Sequence, residues 1–203
     1  MVIGVLALQG DFEEHAAVLH RLGAEVREVR RASDLDGLAG LIIPGGESTT
    51  IARLLAAYDL LDPLRAHIDA GLAVMGTCAG AIVLAKHAVG LDRPGVERMA
   101  LRVRRNAFGR QRDSFETDIE FAGIDGGPVH AVFIRAPVIE GVEPPAHALA
   151  TLPDGRVVAA RQGRLIALAF HPELTPDTRV HAYFLALVGT PAEASQTAVG
   201  SNA

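Results

Sequence analysis

Short apolar runs recur along the first half of the chain and are separated by segments with a helical period. Continuous runs occupy residues 2–8, 41–43 and 72–75, and residues 25–29 alternate between apolar and polar. Continuous apolar runs are typical of parallel strands that are buried on both faces. Between the first two strands, residues 12–19 place apolar side chains on one helical stripe. Alternation of strands and helices at this spacing predicts a mostly parallel sheet with helices on both faces.

The second half of the chain changes to shorter β-like runs that are separated by turn signals. These runs lie at 101–104, 115–121, 129–134, 148–152 and 156–160. They predict an antiparallel extension of the sheet. A buried run at 165–170 follows, and we expect a last helix to begin at Thr175-Pro176. The prediction is one three-layer, doubly wound α/β domain over residues 1–190, with a disordered tail of small polar residues at 191–203.

Composition and charge argue against several classes of protein. Of the 203 residues, 49% are apolar and 21% are charged, as in an ordinary globular protein. The net charge of −5 argues against a nucleic-acid partner. No apolar run approaches the roughly 20 residues that cross a bilayer, and the N-terminus lacks the features of a signal peptide. We therefore expect a cytoplasmic protein with no nucleic-acid or membrane partner.

The chain contains one cysteine, Cys78. One cysteine excludes an intramolecular disulfide and fits a reducing compartment. It is also too few for a multi-cysteine metal site, and no pair of histidines has the spacing of zinc ligands. We therefore expect neither a metal nor a cofactor.

Cys78 lies in the sequence Gly76-Thr77-Cys78-Ala79-Gly80, between a buried strand and a helical run. This is the pattern of the nucleophile elbow, G-x-S-x-G, with cysteine in place of serine. Backbone N–H groups at the start of the helix favour the thiolate, and that of Ala79 can donate to an oxyanion. A buried structural cysteine is the alternative. The two flanking glycines at a strand end favour the nucleophile.

A cysteine nucleophile needs a base and a group that orients the base, and residues 171–173 offer both. His171 follows the buried run at 165–170, and Glu173 lies two residues later. Because the carboxyl ends of parallel strands open to one crevice, we expect both side chains to lie close to Cys78. We interpret the other histidines as solvated or packing residues: His15, His20, His67, His87, His130, His147 and His181.

Two glycine-containing loops follow other buried strands and are expected in the same crevice. They are Gln9-Gly10 and Gly45-Gly46. The N–H of Gly46 is the second candidate for an oxyanion hole, and a plain turn or a phosphate-binding loop are the alternatives. The chain lacks the diagnostic phosphate-binding patterns G-x-x-x-x-G-K-[ST] and G-x-G-x-x-G. After the first loop, the spacing of Asp11 and Glu14 predicts a capping box.

GTCAG at 76–80 together with HPE at 171–173 resembles the class I, triad-type glutamine amidotransferases. Further motifs resemble one branch, the glutaminase subunits of the ribose-phosphate-dependent pyridoxal 5′-phosphate synthase. These motifs are LALQGDFEEH (6–15), LIIPGGESTT (41–50), RNAFGRQRDSFE (105–116), FIRAP (133–137) and FHPELT (170–175). They extend over nearly the whole chain, and the set is much more specific than the triad alone.

The resemblance implies a role for each matching residue. Cys78 attacks the side-chain amide of L-glutamine, His171 transfers the proton, and Glu173 orients His171. The N–H groups of Gly46 and Ala79 form the oxyanion hole. The glutamine pocket is lined by Gly46, Glu47, Ser48, Arg105, Ile134 and Arg135.

The resemblance also implies a partner. Ammonia passes to a separate barrel-shaped synthase subunit, which makes pyridoxal 5′-phosphate from ribose 5-phosphate and glyceraldehyde 3-phosphate. Equal numbers of both subunits assemble, and we expect Gln9-Gly10 and the first helix at the docking surface. The alternatives are a glutaminase for another biosynthetic synthase, a free-standing cysteine hydrolase on the same scaffold and a non-catalytic binding module.

Overall fold

The computed structural model describes residues 1–105 and 114–190, so the predicted tail and most of the motif at 105–116 lie outside the described residues. The described strands are β1 (Val2–Leu6), β2 (Glu25–Val29), β3 (Gly40–Ile43), β4 (Ala73–Thr77), β5 (Ala85–Val89), β6 (Met99–Arg104), β7 (Ser114–Ile119), β8 (Val129–Ile134), β9 (Val138–Val142), β10 (His147–Thr151), β11 (Val157–Gln162) and β12 (Leu165–Leu168). The described helices are α1 (Phe12–Arg21), α2 (Ser48–Ala57), α3 (Leu61–Asp69), α4 (Ala79–Leu84) and α5 (Arg179–Gly189). Two 3-10 turns lie at Ala32–Leu35 and Pro172–Leu174.

One large mixed sheet has the strand order β2-β1-β3-β4-β12-β11-β9-β6-β5, and β10 pairs with β11 outside this path. From β2 to β12 all neighbouring strands are parallel. The strands β11, β9 and β6 then follow in antiparallel pairs. The predicted parallel sheet with an antiparallel extension is therefore confirmed. The strand order reverses between β1 and β3, and ligands bind at such a switch point in open α/β sheets.

The central strands are apolar at every position because both faces of the sheet are covered. On β3, Leu41 and Ile43 belong to a core that includes side chains of α2, α3 and α4. Ile42 between them belongs to a second core that includes side chains of α1 and α5. All three residues are completely buried. Because alternate side chains enter cores on opposite faces of the sheet, helices cover both faces, and this gives the three predicted layers of helices, sheet and helices.

The strands β7 and β8 differ from the prediction, because they pair with each other and not with the large sheet. Phe115 of β7 stacks on Phe133 of β8 with 4.4 Å between the ring centroids. Phe133 in turn contacts Phe170, which follows β12. The hairpin therefore covers one face of the sheet and does not widen it.

Two strands of the extension, β5 and β9, were not predicted at all. Lys86 and His87 of β5 are exposed at the edge of the sheet, so this strand lacks an apolar signal. The strand β9 contains Glu140 and Gly141 among its five residues. The exposed edge position of β5 and the acidic and glycine residues of β9 thus left both strands without the hydrophobic pattern from which a strand is recognised.

The last helix begins at Arg179, later than the predicted start at Thr175-Pro176. The carboxylate of Asp177 accepts the backbone N–H of Arg179 at 2.9 Å and stabilises that later start. The face predicted to be apolar is buried, with Phe184 completely inaccessible. With 11 residues, α5 is the longest described helix, and no described helix is long and apolar enough to cross a membrane.

A methyl group at Gly80 tests how closely α4 packs on β3. A Cβ at this position would lie 2.1 Å from the backbone oxygen of Ile43, which cannot rotate away. We expect Gly80→Ala to lower the free energy of unfolding by about 1–3 kcal/mol in urea denaturation. Gly189→Ala in α5 is the matched control, because a Cβ there meets no described atom within 4 Å. Equal stability of the two variants would contradict the close packing.

Candidate active site

Cys78 lies at the turn between β4 and α4 with a φ of 47° and a ψ of −101°. A positive φ is uncommon outside glycine, and strained residues of this kind concentrate at functional sites. The turn is tight, since a Cβ at Gly76 would lie 2.6 Å from the carbonyl carbon of Gly80. The N–H of Cys78 donates to the oxygen of Leu168 at 2.8 Å, which ties the turn to β12. The backbone therefore has the geometry that the elbow pattern predicts.

His171 and Glu173 follow β12, and both are buried. The Nδ1 of His171 donates to Oε1 of Glu173 at 2.7 Å, a bond that fixes the tautomer and orientation of the ring. Burial lowers the pKa of His171, but hydrogen bonds with Asp11, Cys78 and Glu173 outweigh burial and raise it to about 12. The imidazole is therefore strongly favoured as a cation, and Cys78 lines the same cavity as His171.

Burial raises the pKa of Glu173, while the hydrogen bond and charge of His171 act in the opposite direction. A buried carboxylate without partners becomes neutral, whereas hydrogen bonds to its oxygens favour the charged form. Glu173 and His171 thus depend on each other for their charges. Removal of either group leaves the other as a buried, poorly partnered ion.

Asp11 is placed differently from its prediction. It occupies the cap position of α1, but its side chain makes no capping hydrogen bond, so the predicted capping box with Glu14 is wrong. Its Oδ2 lies 3.4 Å from Nδ1 of His171 instead. Attraction to the imidazolium explains this orientation, and Asp11 adds a second negative charge beside the ring.

Two histidines interpreted as solvated or packing residues lie in a polar cluster behind Glu173. His15 of α1 and His181 of α5 are both completely buried. The Nε2 of His15 lies 3.3 Å from Oε2 of Glu173 and 3.1 Å from Oγ1 of Thr77. Its Nδ1 lies 2.9 Å from Nε2 of His181. A signal for His15 exists in the sequence, because it shares the buried stripe of α1 with residues 18 and 19.

Both buried histidines are neutral. Burial lowers the pKa of His15 well below its usual value, and His181 and His171 lower it further. Burial, together with the charge of Arg21, lowers the pKa of His181 to about 4. Each ring therefore offers one N–H donor and one acceptor nitrogen.

A cavity of about 290 Å³ opens beside Cys78 and His171. Its volume suits a small metabolite. Every residue predicted for the glutamine pocket and the oxyanion hole lines it: Gly46, Glu47, Ser48, Ala79, Arg105, Ile134 and Arg135. Three lining residues were not predicted to face the cavity: Asp11, Ile82 and Leu174.

Glycines allow the two loops after β1 and β3 to touch. A Cβ at Gly10 would lie 1.7 Å from the oxygen of Gly45, and Gln9 Oε1 accepts the N–H of Glu47 at 2.7 Å. Gly46 itself has a φ of 138°, which favours glycine. Ala79 is the first residue of α4, so its N–H has no acceptor within the helix. The predicted convergence of the loops on Cys78 is therefore observed.

Glu47 and Arg105 form an ion pair at the cavity wall. Arg105 Nη2 donates to Glu47 Oε1 at 2.5 Å, and the carboxylate also caps α2 by accepting the N–H of Thr50 at 2.6 Å. Burial opposes ionisation, but these bonds hold the pKa of Glu47 below its usual value. Arg135 differs, because it is exposed and pairs with no described residue. The described cavity lining thus includes the carboxylates of Asp11 and Glu47 and two guanidinium groups.

Asp11, His171 and Glu173 also bring three donor atoms within 4.8 Å of one another, as a metal site does. The Nδ1 of His171, however, donates to Glu173 at 2.7 Å. A protonated nitrogen cannot ligate a metal. The arrangement therefore suits proton transfer better than metal binding.

The neutral histidines make stability depend on pH. An unfolded histidine gains a proton below about pH 6.5, whereas folded His181 stays neutral down to about pH 4. The unfolded state thus binds more protons, and the free energy of unfolding should fall by about 2 kcal/mol for this residue between pH 7 and pH 5. Urea denaturation at several pH values measures this loss.

The variant His181→Gln should lack that part of the pH dependence, because glutamine does not titrate. His20→Gln is the control, since His20 is exposed on α1. Its profile should match that of the unchanged protein. A His181→Gln profile parallel to that of the unchanged protein would show that His181 does not cause the loss.

Known proteins resemble the chain over almost its whole length. The model of the SNO glutamine amidotransferase family matches residues 5–189. Pyridoxal 5′-phosphate synthase subunit PdxT of Moorella thermoacetica is 57% identical over 189 residues, which cover 93% of this chain and 100% of the relative. The subunit of the same name from Deinococcus radiodurans is 57% identical over 194 residues, which cover 93% of this chain and 98% of the relative.

The likeness extends to the fold. A crystal structure of a glutamine amidotransferase with 52% sequence identity superposes with a TM-score of 0.88 and covers 94% of this chain and 100% of its own. The similarity in sequence and the similarity in fold therefore both extend over nearly the whole chain. Because the family model and these relatives span nearly the whole chain, the chain belongs to the SNO glutamine amidotransferase family.

Proposed function

We propose that this protein hydrolyses L-glutamine to L-glutamate and ammonia as the glutaminase subunit of a pyridoxal 5′-phosphate synthase. The observation that carries the proposal is the placement of Cys78. It lies on a strained turn in the wall of a small cavity, beside a histidine that a buried glutamate holds at 2.7 Å. This arrangement is the nucleophile, base and orienting group of a triad.

In the proposed reaction the thiol proton of Cys78 resides on His171 as the imidazolium, and the Cys78 thiolate attacks the amide carbon of glutamine. The oxyanion that forms accepts hydrogen bonds from the N–H groups of Gly46 and Ala79. His171 then gives its proton to the leaving nitrogen, which departs as ammonia and leaves a thioester on Cys78. Water attacks the thioester with His171 as base and releases glutamate.

The charged groups of the cavity suit the other end of glutamine. The α-carboxylate binds an arginine, and the α-ammonium binds the carboxylate of Glu47. Arg105 is already paired with Glu47 and with Oγ1 of Thr49. Arg135 has no described partner, so it is the arginine that is free to contact the substrate carboxylate.

A separate synthase subunit receives the ammonia in this proposal. Ammonia is mostly protonated near neutral pH and is lost once it reaches solvent, so a donor enzyme acts while docked to its acceptor. The relatives from Moorella and Deinococcus are named as subunits of such a synthase. Barrel and glutaminase subunits then assemble in equal numbers, and the reaction takes place in the cytoplasm.

Exposed apolar side chains at the cavity support a docked partner. Ile134 is 39% exposed and Leu174 is 43% exposed, and both line the cavity. Two of the exposed large hydrophobic side chains thus lie where ammonia is formed, and burial under a partner removes them from water. The nearby loop Gln9-Gly10 and α1 complete the proposed docking surface.

Glutamate release by the purified protein, alone and with its synthase subunit, tests the proposal. We expect strong stimulation by the synthase subunit and no measurable hydrolysis by Cys78→Ala, because the thioester cannot form without the thiol. The substitution removes one buried sulfur, and far-UV circular dichroism checks that the fold is retained.

The other outcomes of this assay have distinct meanings. High activity without any partner indicates a free-standing hydrolase and contradicts the coupling to a synthase. Residual hydrolysis by pure Cys78→Ala contradicts the choice of nucleophile. Absence of activity with the synthase subunit shows that the pathway is wrong.

A further inference from the structure

Glu173 has one oxygen that the triad does not use. Its Oε1 accepts the hydrogen bond of His171, whereas its Oε2 is buried away from the cavity. No described group makes a hydrogen bond of normal geometry to Oε2, and the nearest described nitrogen is Nε2 of His15, at 3.3 Å. A buried anionic oxygen needs a donor, and His15 is the group in place to supply it.

The hydrogen-bond roles in this cluster follow from chemistry. An ionised carboxylate oxygen only accepts, so Nε2 of neutral His15 carries the hydrogen and its Nδ1 accepts. His181 must then donate from Nε2 across the 2.9 Å contact. This leaves Nδ1 of His181 as an acceptor, and that atom indeed has no partner among the described residues. In this assignment the N–H of His181 is directed at His15, and the N–H of His15 is directed at Oγ1 of Thr77, with Oε2 of Glu173 in contact beside it.

A hydroxyl group competes with Glu173 for the donor of His15. Oγ1 of Thr77 lies 3.1 Å from Nε2 of His15 and is its hydrogen-bond partner in the structure, whereas Oε2 of Glu173 is only in contact. A hydroxyl both donates and accepts, whereas Oε2 can only accept and carries charge. The charged oxygen is the stronger acceptor of the two, and a hydrogen bond to it is correspondingly worth more.

We propose that His15 is a positioning residue of the glutaminase reaction, which holds the second oxygen of Glu173 so that the carboxylate stays charged and aimed at His171. The inference rests on the proposed function. His15 touches neither the cavity nor Cys78, so it acts only through Glu173. Its effect should therefore appear in the chemistry of Cys78 and not in the binding of glutamine.

Titratable groups surround the pair His171–Glu173 on three elements. Asp11 and His15 come from the start of α1, Cys78 from the elbow, and His181 from α5 behind His15. Arg21 acts on His181 through its charge. Of these groups, His15 is the one that lies against the free oxygen of Glu173.

Loss of the N–H donor of His15 should disfavour the thiolate form of Cys78 relative to the thiol. An unpartnered Oε2 makes Glu173 easier to protonate, because hydrogen bonds to the charged form favour that form. A neutral Glu173 no longer supports the imidazolium of His171. The thiolate of a cysteine depends on a neighbouring cation, so thiolate formation should then require a higher pH.

The test compares His15→Leu, which removes the donor, with His15→Gln, whose amide N–H can occupy the place of Nε2. Because Cys78 is the only cysteine, its rate of alkylation by iodoacetamide reports on this thiol alone. We expect the midpoint of alkylation against pH to rise by about one unit or more in His15→Leu and to return towards the original value in His15→Gln.

Glutaminase kinetics with the synthase subunit provide the second readout. In His15→Leu we expect kcat to fall by about ten- to a hundredfold, the usual range for loss of a hydrogen bond to a charged group. KM for glutamine should stay within about twofold, since His15 does not line the cavity. A rise in KM with unchanged kcat contradicts the proposal.

His20→Leu serves as the matched control, because it makes the same change on the exposed side of α1. It should leave both the alkylation profile and kcat unchanged. If His15→Leu does not fold, His15→Asn replaces it, since the shorter amide cannot reach Oε2. A folded His15→Leu or His15→Asn with an unshifted alkylation profile overturns the proposal.

Alkylation also separates this inference from the proposed function. It needs neither glutamine nor a partner, so it tests the coupling of His15 to Cys78 on its own. If the unchanged protein does not hydrolyse glutamine with its synthase subunit, the proposed function fails. The shift in the alkylation profile then still decides whether His15 controls the thiol.

Discussion

The parallel alignment of β1, β3, β4 and β12 is the constraint from which the rest of the site follows. Parallel strands open their carboxyl ends at one edge of a sheet, so the segments after these four strands must meet there. They carry Gln9-Gly10, Gly45-Gly46, Cys78 and His171. Residues that are up to 162 positions apart, from Gln9 to His171, thus meet at one edge of the sheet, and small residues let the loops touch.

Within that crevice, burial and hydrogen bonding oppose each other. Burial favours neutral forms of both His171 and Glu173, and by itself leaves no charge to activate a thiol. Hydrogen bonds reverse this preference at His171, whose pKa rises to about 12. At Glu173 burial remains the larger influence and raises the pKa. The carboxylate is therefore the weaker member of the pair and the one that further donors can stabilise.

Helices from one face of the sheet contribute to this balance. The helix α1 brings Asp11 to the cavity side of the triad and, one turn later, His15 to the buried side of Glu173. The helix α5 adds His181 behind His15. The two histidines are neutral in the folded protein, so they add no positive charge beside His171 and Glu173. The core that includes α1 and α5 therefore also fixes which charged and polar groups surround His171 and Glu173.

Much of this protein is evident from local patterns. Continuous apolar runs predicted β1, β3, β4 and β12, because their apolar side chains enter one of two cores. The elbow around Cys78 and the HPE segment predicted that Cys78 and His171 meet, because strand ends impose their position, whereas the residues of the glutamine pocket followed from the family resemblance. The exposed edge strand β5 was not predicted, and the strands β7 and β8 were predicted but assigned to the large sheet, since partners in space are not encoded in a local period.

The side chain of Asp11 and the cluster of His15 and His181 show the remaining limit. By sequence alone, Asp11 has the spacing of a cap, and His15 is one more residue on a helical stripe. Only the folded chain decides that Asp11 turns to an imidazolium at 3.4 Å and that His15 faces a buried carboxylate at 3.3 Å. The sequence thus determined the central strands and the placement of Cys78 and His171 at their ends. The tertiary structure decided which distant charges and donors surround them, because electrostatic partners act through space and not along the chain.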